Sequence, residues 1–248
     1  VEKVKTPVII AVVGALCRGK STVAKHVSKH LSERFGFEKP LEIHSTDSVR
    51  NEFIKKNIIK SDSEGVNKGV FSPEAREKVY KEVLSRIALD LKNRRIALTT
   101  GTYAHKQTRF DLYNLAKKFG AKVIFVECLL SNKEAKARLK AAEEKSEDRF
   151  GSLVGLKRYK ELEKNKKTSA LSKSPLLVKV KTASEFIKGG KGAFIEKFIV
   201  EKASLREFKE NNAEYIPFST GFKLELLPER TRMLANRIMD LLKKTKKE

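Results

Sequence analysis

The segment "VVGALCRGKSTVAKH", residues 12–26, carries residue types suited to phosphate chemistry. Gly14, four further residues, then Gly19, Lys20 and Ser21 fit the pattern G-x-x-x-x-G-K-[ST]. A loop of this kind turns successive backbone N–H groups toward phosphate oxygens, and the helix behind it adds the partial positive charge of its N-terminus. Read this way, Gly14, Ala15, Leu16, Cys17, Arg18, Gly19, Lys20, Ser21 and Thr22 line the phosphates of a nucleotide. Lys20 then reaches the β- and γ-phosphates, and the Ser21 hydroxyl ligates Mg2+. The plainer alternative is a glycine turn capped by a helix with a surface lysine. Flanking sequence favours the phosphate loop: "PVIIAVVG" upstream is a continuously apolar, doubly buried strand. Downstream, Val23, Ala24, Val27 and Leu31 fall on one helical stripe that stops at Gly36.

In an open parallel sheet, ligands bind beyond the carboxyl ends of the strands. That rule gathers the loop with "STDSVR" after the second strand and "TTGTY" after the third. Asp47 is the carboxylate at the second strand's tip, placed to accept a proton from an attacking hydroxyl. Arg50, one turn later, is placed to grip a substrate phosphate. The competing role for Asp47 is the N-cap of the following helix.

The elements that must position these groups alternate. Strands are expected at "PVIIAVV", "LEIHST" (ending at Asp47), "RIALTTG", "KVIFVECLL" and "EYIPFSTG". Helices are expected between them, the one after Ser72 opening with Ser72 as N-cap and Pro73 at the first helical position. Such a βαβα succession gives an α/β fold, a parallel five-stranded sheet flanked by helices. Past residue 144 the alternation loosens. Residues 1–182 read as a core with a lid over about 131–165, residues 183–213 as an insertion, and residues 214–248 as the core's last strand and helix.

"GALCRGKSTVAKHVSKHL", "STDSVRNEF", "VFSPEAREKVYKEVL", "RRIALTTGTY", "HKQTRFDLYNLAKKFGAKVIFVEC" and "NKEAKARL" follow one another in a way that resembles the zeta-toxin and polynucleotide-5′-kinase-like group of P-loop kinases. The resemblance covers about residues 7–165. It implies the P-loop nucleoside-triphosphate hydrolase fold and phosphoryl transfer from ATP with Mg2+, without naming an acceptor. It also implies Asp47 as the base and Arg50 as an acceptor-side ligand, and it puts Arg138 where the group carries a lid or nucleotide-contacting arginine. Arg149 is a second lid candidate, set against a solvated arginine. Two departures stand out. Cys17 and Arg18 replace small residues of the loop, with Arg18 expected to point to solvent rather than to the phosphates. Thr100 stands where the group ends its third strand in Asp, which bears on magnesium handling.

The chain has 248 residues and a formal net charge of +23, with 54 Lys and Arg against 31 Asp and Glu. Such an excess fits an anionic polymer such as RNA or DNA, and equally a lysine-rich solvated surface. No run is long enough to span a bilayer and "VEKVKTPV" shows no signal-peptide pattern, so no membrane partner is expected. The two cysteines, Cys17 and Cys128, do not make a disulfide framework and fit a reducing, cytoplasmic setting. The expected activity is an ATP-dependent kinase acting on a hydroxyl, on a nucleic acid or tRNA-linked group. The alternatives are a small-metabolite or sugar-nucleotide kinase and a nucleotide-dependent switch without transfer.

Overall fold

Every residue of β1 (Val8–Val13) is buried because the strand runs through the middle of the sheet with helices on both faces. The computed structural model describes residues 7–15, 18–60, 69–131, 133–135, 137–138, 141, 204–221 and 224–244. The remaining strands are β2 (Ile43–Ser45), β3 (Ile96–Gly101), β4 (Lys122–Leu129) and β5 (Ala213–Ser219). They pair in parallel in the order β2-β3-β1-β4-β5, the five-stranded parallel sheet expected from the sequence.

Alternate residues of β1 serve two cores. Val8, Ile10 and Val12 pack with Val23, Val27 and Leu31 of α1 (Lys20–Phe35) and Leu234 and Ile238 of α6 (Leu227–Lys244). Ile9, Ala11 and Val13 face the other side. There they meet α2 (Thr46–Lys55), α3 (Pro73–Lys92), α4 (Lys106–Lys118) and α5 (Leu205–Glu210). The helix ends follow local chemistry. Gly36 ends α1 in the left-handed region at φ 69°, and the Phe37 amide donates back to the Ser32 carbonyl at 2.8 Å. At the start of α3 the Ser72 hydroxyl accepts from the Ala75 amide at 3.1 Å, with Pro73 at the first helical position as expected.

One boundary differs from expectation. The second strand ends at Ser45, and Asp47 already lies in the first turn of α2. The cause is Ser45, whose hydroxyl accepts from the amides of Asp47 (3.2 Å) and Ser48 (3.4 Å). The N-cap is therefore Ser45, not Asp47.

Of the segment read as an insertion, residues 183–203 lie outside the described residues. Its last part includes α5, whose Phe208 is buried against Phe125 and stacks on Tyr215 with ring centroids 5.4 Å apart. Arg149 and most of the expected lid also lie outside the described residues.

Candidate phosphate and acceptor site

Register brings the candidate residues to one edge of the sheet. Val12 pairs with Thr100, which pairs with Ser45, and Val13 pairs with both Gly101 and Glu127. The loop after β1, the start of α2 and the turns after β3 and β4 therefore share the carboxyl edge.

The loop leaves β1 at Gly14, where φ is +143° and a Cβ would sit 2.8 Å from the Cys128 carbonyl oxygen. It enters α1 through Gly19, left-handed at φ +80°. Both positions demand glycine, the first by close approach of β4 and the second by backbone conformation. Leu16 and Cys17 lie outside the described residues. Lys20 opens α1, and its Nζ donates to the Ala15 carbonyl at 2.8 Å, folding the side chain back over the loop. Ser21 and Thr22 are exposed in the first turn of α1.

Arg18 corrects an expectation. It does not point to solvent but is only 2% exposed. Groups from distant parts of the chain gather at this flank of the loop. Thr220, just beyond β5, donates its hydroxyl to the Arg18 carbonyl at 2.9 Å, and Arg138 donates Nη2 to the Thr220 carbonyl at 2.7 Å. The Nη1 of Arg138 lies 3.5 Å from where a Cβ on Gly19 would be. The Glu134 carboxyl is held below its ordinary value, chiefly by the Ser131 hydroxyl and further by the charges of Arg138 and Arg18. Arg138 is thus brought to the loop.

On the opposite flank, Asp47 is largely exposed and its Oδ1 takes Nη1 of Arg50 at 2.6 Å. Arg50 is buried. It donates Nε to the Val70 carbonyl at 3.2 Å, and its guanidinium carbon lies 4.8 Å from the Phe71 ring centroid. Asp47 and Arg50 are together, but as partners of each other. Thr100 is buried and shares the parity of Ile96 and Leu98, so it faces the α1 side of the sheet. Cys128 is on that side too, its thiol pushed up to about 12 by burial, partly offset by the Lys20 charge. A thiol so buried is no nucleophile.

Residues 7–248 match the family described as chromatin associated protein KTI12. The chain belongs to the KTI12 family. No curated protein matches it. Among solved structures, a Chloroflexus aurantiacus protein proposed to be a kinase superposes with a TM-score of 0.59 at 14% identity, covering 95% of this chain and 98% of its own. A gluconokinase from Sinorhizobium meliloti gives a TM-score of 0.47 at 13% identity, covering 96% and 97%. At such identity the likeness to the first of these establishes the fold, a parallel α/β sheet flanked by helices, and nothing about activity.

Some site residues of this KTI12-family chain escaped the sequence reading. Thr220 follows the fifth strand, and the rule used for the other strand tips, applied to "STG", would have found it. Glu127 is wholly buried at the end of β4, where the Tyr215 hydroxyl donates to its Oε2 at 2.6 Å. A carboxylate inside an apolar run was the available signal. Arg109 is completely buried and grips Glu207 through Nε (2.7 Å) and Nη2 (3.2 Å). Its Nη1 holds the carbonyls of Tyr103 (3.2 Å) and Ala104 (3.1 Å), in the turn beyond β3. No short-range pattern pairs residues that distant in sequence.

Proposed function

We propose that the protein is an ATP-dependent phosphotransferase that moves the γ-phosphoryl group to a hydroxyl acceptor. The observation that carries this is the convergence of Lys20 and Arg138 on a glycine-bounded loop at the carboxyl end of β1. Loop amides and these two cations would hold the phosphates, in the manner of phosphate loops generally. Asp47 would take the proton as the acceptor oxygen bonds to the γ-phosphorus and the bridging P–O bond to the β-phosphate breaks, leaving ADP.

The donors also fit Mg2+. Ser21 offers an exposed hydroxyl in the first turn of α1, and position 100 is a threonine rather than a carboxylate. A cation that keeps several waters suits such a sparse set. When bound there it would neutralise charge on the β- and γ-phosphate oxygens.

For the acceptor, we read a nucleic acid end or a tRNA-linked group. The net charge of +23, the family's description as chromatin associated, and the motif resemblance to polynucleotide-5′-kinase-like enzymes support it. Among the described residues no helix is long and apolar enough to cross a membrane. A second reading, a nucleotide-dependent switch without transfer, is favoured by Thr100 and by the Asp47–Arg50 pair. Incubation with γ-labelled ATP and separate pools of RNA, DNA and metabolites decides between them. Label in the RNA or DNA pool is expected. Label in the metabolite pool alone moves the acceptor to a small molecule, and ATP binding with no labelled pool gives the switch.

A further inference from the structure

The hydroxyl of Thr220 is 4% exposed at the residue level and has two carbonyl neighbours, Arg18 at 2.9 Å and Leu129 at 3.1 Å. Both neighbours are acceptors only, so the hydroxyl must be the donor. Its one proton cannot fully serve both. Leu129 already receives the Thr220 amide at 2.8 Å, and the shorter of the two hydroxyl contacts is the one to the Arg18 carbonyl. Thr220 is itself fixed on its far side, where Arg138 donates to its carbonyl at 2.7 Å.

The consequence lies in the next peptide. In a planar trans peptide the C=O and the following N–H point in opposite directions. Drawing the Arg18 carbonyl outward to Thr220 therefore turns the Gly19 N–H inward, to the side where the loop would receive phosphate. The other side of Gly19 is fixed as well, because its carbonyl accepts from the Val23 amide at 2.9 Å as the first bond of α1. Glycine at φ +80° has the freedom to flip such a peptide, and a flip would present a carbonyl oxygen to the phosphates in place of a donor.

We infer that Thr220 is a positioning residue of the phosphate loop, its hydroxyl holding the Arg18–Gly19 peptide in the orientation that donates to a nucleotide phosphate. This rests on the phosphate-loop reading above and adds to it a residue from the far edge of the sheet. It also gives Arg138 a role before any nucleotide arrives, that of anchoring the carbonyl of the residue that orients the loop.

The test compares Thr220→Val, which keeps the shape and loses the hydroxyl, with Thr220→Ser, which keeps the hydroxyl. Lys20→Ala serves as the control for the loop itself. Affinity for Mg-ATP is measured by titration calorimetry, and folding by urea midpoint without nucleotide. Thr220→Val is expected to weaken Mg-ATP binding about tenfold, the scale of one lost buried hydrogen bond. Thr220→Ser is expected to bind like wild type even where its urea midpoint has fallen, which separates positioning from stability. Wild-type affinity in a folded Val variant overturns the inference while the phosphate-loop reading stands. If wild type itself binds no Mg-ATP, both fall. Should the Val variant not fold, the amide signal of Gly19 in nitrogen-15-labelled wild type decides. It is expected to shift on adding Mg-ATP, and an unmoved Gly19 amide beside shifting neighbours overturns the inference.

Discussion

The two flanks of the sheet's carboxyl edge are finished differently. On the β4–β5 flank the cations rest on neutral main-chain acceptors, Lys20 on the Ala15 carbonyl and Arg138 on the Thr220 carbonyl. On the β2 flank Arg50 rests on a carboxylate, that of Asp47. A polyanionic phosphate outcompetes a carbonyl for a cation, because charge-assisted hydrogen bonds are roughly twice as strong as those between neutral groups. No such advantage separates one phosphate from one carboxylate. On the proposed reading, the first flank would take a nucleotide by side-chain exchange alone. The second would free Asp47 for proton transfer when something anionic takes its place on Arg50. An acceptor bearing its own phosphate would do this, which would tie the choice of acceptor to the activation of the proposed base.

The largest expected effect falls on the first flank. Lys20→Ala removes the cation that opens α1 while the Gly14 and Gly19 backbone survives. A nucleotide that binds only the folded state raises stability by mass action, about 2.7 kcal/mol at a hundred times its dissociation constant. That gain should vanish from the thermal shift of the variant with Mg-ATP. An unchanged shift would place the nucleotide elsewhere and erase the contrast between flanks.

Next is the buried support of the β3 turn. Arg109→Met leaves the Glu207 carboxylate, 13% exposed, with the Tyr113 hydroxyl at 3.2 Å and without its guanidinium. Stranding one member of a buried pair costs about 3–5 kcal/mol. Urea unfolding should report a loss of that order. Replacing both partners, as Arg109→Met with Glu207→Leu, should recover part of it. A single variant as stable as wild type would show that α5 does not brace this turn.

How much of this was legible in the sequence follows from range. The glycine-bounded loop between β1 and α1 was legible because strand, glycines, lysine and helix are contiguous, so one stretch carries both motif and context. The sheet was legible for the same reason: each strand advertises its own burial. The strand end at Ser45 was misplaced by two residues because Ser and Asp both cap helices, and only the amide geometry separates them. Arg18 was misjudged because its neighbours, Thr220 and Glu134 among them, come from distant parts of the chain. The Arg109–Glu207 and Thr220–Arg18 contacts had no local signal at all.

The third prediction separates the flanks by function. Asp47→Asn keeps the side chain's shape and leaves the Ser45 cap in place, but removes the charge and the basicity. Transfer should fall about a hundredfold or more, the scale of general-base loss, while Mg-ATP binding persists. Radiolabel transfer and calorimetry on one preparation give both numbers. Undiminished transfer would remove Asp47 from the chemistry and leave it as the counter-ion of Arg50.

The smallest effect is expected at Ser45, and it is the sharpest probe of how the acceptor flank is held. Its hydroxyl accepts from two first-turn amides at 3.2 and 3.4 Å, one of them the amide of Asp47. These lengths sit at the long end for such bonds, so the loss on Ser45→Ala should be about 1 kcal/mol, ordinary for a cap. Because the cap fixes the first turn of α2, it also fixes the starting direction of Asp47. If the flank owes its geometry to the cap, transfer should drop severalfold beyond what the lost stability accounts for, with Mg-ATP affinity unmoved. If the Arg50 pair and its bond to the Val70 carbonyl hold Asp47 instead, transfer per folded molecule should equal wild type. Measured well below the unfolding temperature, that ratio tells whether the acceptor flank is positioned by its backbone or by its ion pair.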